Sequence, residues 1–152
     1  FEQYGLPATD ALSYAANASN TPQAYTDPVD GTYSAGAVSN LTVAWQEGDE
    51  YAEKNLERII TQKWIAIFPL GTEAWTEHRR TGYPRLLPAV VDNSGGAVNV
   101  ALGARRLPYP VEEYTENPTN LQAAVSALNG ESVNGAGDTQ GTRVWWDRKN
   151  LN

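Results

Sequence analysis

The stretch DEYAEKNLERIITQKWIAIFPLGTEAWTEHRRTGYP, from Asp49 to Pro84, constrains the fold more than any other part of the chain. Leu56, Ile59, Ile60, Trp64, Ile67 and Phe68 recur at the spacing of one helical face, which predicts a helix over Glu50–Phe68. Asp49 is placed to cap it, and Glu50 and Glu53 suit the positive end of its dipole. Pro69 and Gly71 break the pattern. Thr72 can cap a second helix, with Glu73 in its first turn, Arg79 and Arg80 in its last, and Gly82 and Pro84 ending it. The result is an αα-hairpin over about residues 50–80. Ile65 projects roughly opposite the apolar seam, so the first helix expects more than one neighbour. Two like-charge pairs at i,i+4, Glu53 with Glu57 and Lys54 with Arg58, would each cost a few tenths of a kcal/mol, roughly, on an isolated helix. They imply opposite charges arriving from elsewhere in the fold.

The flanks are weaker in pattern. Pro7 to Asn17 reads as a short helix, and Ala18 to Asn40 as a long loop by its turn chemistry. Val98–Leu102 alternates enough to predict a short strand. Arg105 to Pro110, RRLPYP, must be extended around its prolines. Asn117-Pro118 opens a further helix with Leu121, Ala124, Val125 and Leu128 as its stripe and Gly130 as its left-handed stop. Asn129 to Gly141 reads as a Gly-rich loop, and Arg143 to Trp146 as a short strand or extended end. The expected class is mainly α: one domain over residues 1–152, with a helix pair at about 50–80 and a loop-rich part at 81–152 carrying a few short strands.

Charge and composition exclude several functions. The net charge of −7 argues against a nucleic-acid partner. Residues 1–50 hold seven acidic side chains and no Lys or Arg. Without cysteine there is no disulfide, thiolate chemistry or cysteine metal site, and with one histidine no zinc site is expected. No run reaches the ~20 apolar residues of a membrane span. No cofactor motif is present. The chain opens at Phe1 without Met or a signal peptide, which reads as a processed protein or a piece of a longer one.

Candidate chemistry is sparse. Glu73 and Glu77, beside His78, lie one turn apart on one helix face, whereas a glycosidase needs carboxyls facing each other across a cleft. No catalytic residue is assigned. VVDNSGG, Val90 to Gly96, lacks the alternation and distal Glu of a calcium loop and reads as a turn. Asn17-Ala18-Ser19 and Asn40-Leu41-Thr42 fit the N-glycosylation pattern. Five Trp and eight Tyr are more than this core needs. Trp64 and Trp75 read as packing. Tyr25, Tyr33 and Trp45, in the polar front third, are the ligand candidates, because flat rings stack on sugar faces, although rings tucked under the loop are the more ordinary reading of each. Arg79, Arg80, Arg105 and Arg106 read as clamps on helix carboxylates such as Glu53, Glu57 or Glu73, in preference to anion grips.

LERIITQKWIAIFPLGTEAWTEHRRTGYPRL resembles a signature block of the SusD/RagB family of outer-membrane nutrient-binding lipoproteins. RRLPYPVEEYTENPTN and TRVWWDRKN follow in the family's order, and FEQYG, YTDP and VAWQEGDEYAEKNLE also look like its C-terminal region. The resemblance implies a helical fold built on tetratricopeptide-type pairs with an irregular C-terminal subdomain. It implies a surface-exposed lipoprotein, held to the outer membrane by an N-terminal lipid anchor, that caps a SusC-like TonB-dependent transporter. Such a protein binds glycans or other nutrients, carbohydrate polymers among them, for transport and polysaccharide utilisation, without cleaving them. The quoted blocks, with Trp145 and Trp146 in the last of them, imply structural roles. Alternatives are a helical-repeat module whose main partner is the transporter, or a carbohydrate-active enzyme. The absence of a lipobox cysteine and N-terminal repeats reads as a C-terminal fragment, in which the Glu50–Phe68 helix should leave an apolar strip uncovered.

Overall fold

The computed structural model describes residues 5–129, 137–147 and 149. The chain is mainly helical: α1 (Ala8–Ala15), α2 (Ala52–Ala66), α3 (Gly71–Thr81), α4 (Val111–Glu116) and α5 (Pro118–Asn129), with 3-10 turns at Gly31–Tyr33 and Asp49–Tyr51. Among the described residues there is no extended strand, and an antiparallel bridge joins Tyr25 to Ala35. Two compact units divide the chain, residues 1–86 and 87–152.

In the first unit α2 and α3 form the hairpin. Lys63 reaches Glu73 at 2.9 Å and Glu77 at 3.0 Å across it, and Arg80 holds Glu77 at 2.6 Å. Those contacts, Arg80's first among them, hold the Glu77 carboxyl below its usual range. Trp64 meets His78 edge to face at 6.3 Å. Gly82 closes α3 with φ 78° and donates to His78 O at 2.7 Å, a left-handed stop that suits glycine. Ile60, Ala74 and Tyr83 are the buried apolar core.

Several boundaries differ from the expectation. Asp49 does not cap α2: it opens a 3-10 turn, and α2 begins at Ala52 with Tyr51 before it and no side-chain cap. Thr72 likewise lies inside α3, which starts at Gly71 after an uncapped Leu70. The helical run stops at Ala66, short of Phe68, because a residue preceding proline is driven out of the α region. Of the predicted seam Ile60 is buried, but Ile59 and Phe68 are exposed, Phe68 at 86%. The buried residues of α2 are instead mostly polar: Asn55, Glu57 and Arg58 with Ile60. Ile65, at 61% exposure, and Leu70 complete an uncovered apolar strip at the α2–α3 turn.

The like-charged glutamates of α2 do receive partners from the segment after α3. Arg85 Nε reaches Glu57 at 3.2 Å, and the Tyr83 hydroxyl donates to Glu53 at 2.7 Å. Burial, together with the adjacent Glu53 carboxylate, pushes the Tyr83 phenol up to about 12. A folded-state value above the unfolded value of about 10 stabilises the fold fully below pH ~10, and that contribution is lost as pH rises through the folded value. Chemical denaturation of the wild type should therefore show a loss of stability between about pH 10 and 12 that Tyr83→Phe diminishes. An equal alkaline loss in the variant would contradict this.

The second unit is tied by arginines. Arg105 Nε donates to Asp147 Oδ2 at 2.7 Å, and its Nη2 to Oδ1. Arg106 pairs with Asp138, which also accepts from Tyr109 N at 2.9 Å and the Tyr114 hydroxyl at 2.8 Å. The partners are thus aspartates of this unit and not the helix glutamates expected. Val98–Leu102 is not a strand. Asn99 Oδ1 accepts from Ala101 N at 2.9 Å and Asn99 O from Gly103 N, so local turns take the groups a ladder would need. Helix α4 carries no long apolar stripe and was not expected. Leu121 of α5 is buried. The Gly130 stop and most of the 129–141 loop lie outside the described residues, as do FEQY and Arg148 and Asn150 of the last sequence block.

Candidate functional site

Two hollows open on the first unit. One, of about 410 Å³, lies among Tyr14, Gln23, Leu41, Arg58, Thr61 and Gln62. Tyr14 donates its hydroxyl to Gln62 across it at 3.1 Å. The other, of about 400 Å³, is lined by Trp45, Glu47, Asp49, Asn55, Leu56 and Ile59, with Gly48 in its wall.

Trp45 is positioned by the network behind it. Arg58, buried on α2, donates from Nε to Thr42 O at 2.8 Å, from Nη1 to Asn55 Oδ1 at 2.8 Å and from Nη2 to Gln46 Oε1 at 2.7 Å. Asn55 Nδ2 in turn donates to Gln46 O at 2.7 Å. Backbone and side chain on both sides of Trp45 are therefore fixed to one helix. The indole itself is 56% exposed beside Leu56 and Ile59, an apolar plane ringed by polar groups. Sequence reasoning missed Arg58, Asn55 and Gln46. The available signal was the Lys54/Arg58 repulsion: Lys54 stacks over the Tyr51 ring at 5.4 Å, whereas Arg58 turns inward to carbonyl and amide oxygens.

Tyr25 and Tyr33 line neither hollow. Both are exposed on the loop closed by the Tyr25–Ala35 bridge. Tyr25 donates to Asp27 Oδ2 at 2.9 Å, which pushes the pKa of its phenol up, while Asp27 Oδ1 accepts from Val29 N and Asp30 N, and the Asp30 N bond first among them holds its carboxyl below the usual range. The structure thus separates Trp45 from the two tyrosines.

Trp75, His78 and Arg79 of the first unit line neither hollow. His78 is buried with Nδ1 3.1 Å from Pro84 O, and the Arg79 guanidinium sits 3.6 Å over the Trp75 ring. Trp145 is 76% exposed and Trp146 half-buried. Asp92 Oδ1 accepts from Ser94 N at 2.7 Å in a turn, and Asn17 Oδ1 accepts from Ser19 N and Asn20 N. No cluster of three or more metal-ligating side chains occurs among the described residues, and no helix there is long and apolar enough to cross a membrane.

Over residues 1–147 the chain matches the model of a family described as SusD-like: Susd and RagB outer membrane lipoprotein. It is similar to the solved structure of a SusD homolog from Bacteroides thetaiotaomicron VPI-5482, with 53% identity and a TM-score of 0.84 over 99% of this chain and 31% of that one. A homolog from Bacteroides ovatus ATCC 8483 shows 51% identity and a TM-score of 0.81 over 98% of this chain and 30% of that one. A chitin-binding SusD homolog from Flavobacterium johnsoniae shows 41% identity and a TM-score of 0.81 over 99% of this chain and 29% of that one. The chain therefore spans about a third of the length of these relatives. No curated protein matches it.

Proposed function

The chain belongs to the SusD-like family, and from that premise we propose that the whole protein is a non-catalytic glycan-binding subunit of an outer-membrane uptake system. In this reading it is surface-exposed, lipid-anchored, and delivers oligosaccharide to a SusC-like TonB-dependent transporter. The observation that carries the glycan assignment is Trp45, a half-open indole on a loop fastened to α2, lining a hollow with Glu47, Asp49 and Gln46. Such a ring offers one flat apolar face to a pyranose while the rim satisfies its hydroxyls. The chitin-binding relative supports the substrate class. Tyr25 and Tyr33 are proposed as a separate contact on the same unit. Trp64, Trp75, Arg79, Arg80, Arg105, Arg106, Trp145 and Trp146 are proposed as scaffold, with the α2–α3 pair packed in the tetratricopeptide manner.

Calorimetric titration with chitin oligosaccharides should show binding without release of new reducing ends. Trp45→Ala should weaken it by about 1.4–2.7 kcal/mol, tenfold to a hundredfold, since the stacking face is lost while Arg58 still holds the loop. Unchanged affinity in the variant would remove Trp45 from the site, and turnover of the sugar would favour an enzyme. A second reading, docking of this region on the transporter, is supported by the exposed Ile65, Phe68 and Leu70. Co-purification of the transporter with the whole protein, abolished by Phe68→Glu, would favour it.

A further inference from the structure

We propose that the Trp45 hollow sorts glycans by charge, accepting neutral or amino-bearing saccharides and rejecting uronic or sulfated ones. This rests on the reading of Trp45 as the sugar platform. Its basis is the distribution of charge around the ring.

Glu47 and Asp49 line the hollow, and no Lys or Arg lines it. The Glu50 carboxyl group lies against the bare backbone of Gly48, which has φ 112° and itself lines the hollow. The cations that the sequence places nearest are committed elsewhere. Lys54 sits over Tyr51, and Arg58 directs Nε and both Nη groups to Thr42, Asn55 and Gln46 behind the loop. The first fifty residues supply no other positive side chain. An anionic sugar stacked on Trp45 would thus meet the Glu47 and Asp49 carboxylates with no cation in the lining, whereas an ammonium group would gain from the same field. The backbone of this loop supplies neutral hydrogen-bonding groups for hydroxyl and acetamido substituents.

The test uses the 152-residue chain and three hexamers on one backbone of β-linked glucosamine: N-acetylated, free-amine and N-sulfated. Calorimetry is run at mildly acidic pH, where the amines are charged, at low and at high salt. The sulfated hexamer should bind about tenfold or more weakly than the acetylated one at low salt, and the free amine at least as tightly. The spread should contract at high salt because the carboxylates are exposed and screened. The double variant E47Q/D49N should narrow the ratio between acetylated and sulfated hexamers. Sulfated hexamer binding as tightly as the acetylated one at low salt would overturn charge selection while leaving the sugar platform standing. A spread insensitive to salt would do the same. If none of the three binds, the platform itself falls and the inference with it.

Discussion

Replacing Asp147 by asparagine is expected to cost the second unit about 3–5 kcal/mol. Asparagine keeps the shape and one acceptor oxygen, so the loss isolates the charge. The Arg105 side chain is 2% exposed and that of Asp147 is 0% exposed, so water is poorly placed to replace the lost carboxylate charge. Arg105 Nη1 would keep its bond to Leu102 O at 3.0 Å, but neutral acceptors do not replace the carboxylate charge beside a buried cation. Replacing both partners, Arg105→Met with Asp147→Leu, should recover most of the loss, since the expense lies in the unpaired charge more than in any strength of the pair. Hydrogen exchange resolved by peptide is the appropriate readout because it reports local opening, with protection lost between Arg105 and Asp147. A loss below about 1 kcal/mol for Asp147→Asn would mean the pair is hydrated in solution.

The second large effect is expected at Arg58. Its three donors fasten Thr42, Gln46 and Asn55 to one point of α2, two of them through side-chain oxygens that would lose a charged partner. Hydrogen bonds to a charged group contribute about 1.5–3 kcal/mol each before context reduces the sum. Arg58→Ala should therefore destabilise the first unit by about 2–4 kcal/mol and also loosen the loop that carries Trp45. Arg58→Lys should rescue little, because an ammonium cannot span the three acceptors that a planar guanidinium reaches. Trp45 gives the diagnostic readout: its fluorescence should become more solvent-quenched and glycan affinity should fall, although Arg58 contacts no sugar in this arrangement. Full glycan affinity in a folded Arg58→Ala chain would show that the loop holds its shape by other means.

The residues themselves explain how much was legible beforehand. The hairpin was readable because its signals are local: apolar spacing from Leu56 to Trp64, breakers at Pro69 and Gly71, and Gly82 after the last turn. Its ends were less so. Asp49 and Thr72 look like caps, yet a 3-10 turn and an uncapped Leu70 start the two helices, since packing outweighs the one hydrogen bond a cap supplies. Helix α4 escaped notice because six residues carry too short a period to register. Val98–Leu102 misled because Asn99 redirects the backbone into turns, a competition invisible in an alternation pattern. For the candidate site, a tryptophan in a polar segment was recognisable, but its exposure was not. The hollow beside it was not, nor was the separation of Trp45 from Tyr25 and Tyr33.

The amino-acid order alone determined the helical class, the position of the hairpin, the surplus of rings and the wholly acidic character of the first fifty residues. These are properties of neighbours within a few turns of chain, where geometry is set by 3.6-residue periodicity and by the fixed torsions of proline and glycine. Tertiary structure decided which charges meet. Arg105 finds Asp147 across 42 residues, Glu57 is answered by Arg85, and Arg58 is buried against oxygens instead of carboxylates. A guanidinium can satisfy many acceptors equally well in isolation, and only the closure of long loops around a shared core selects one.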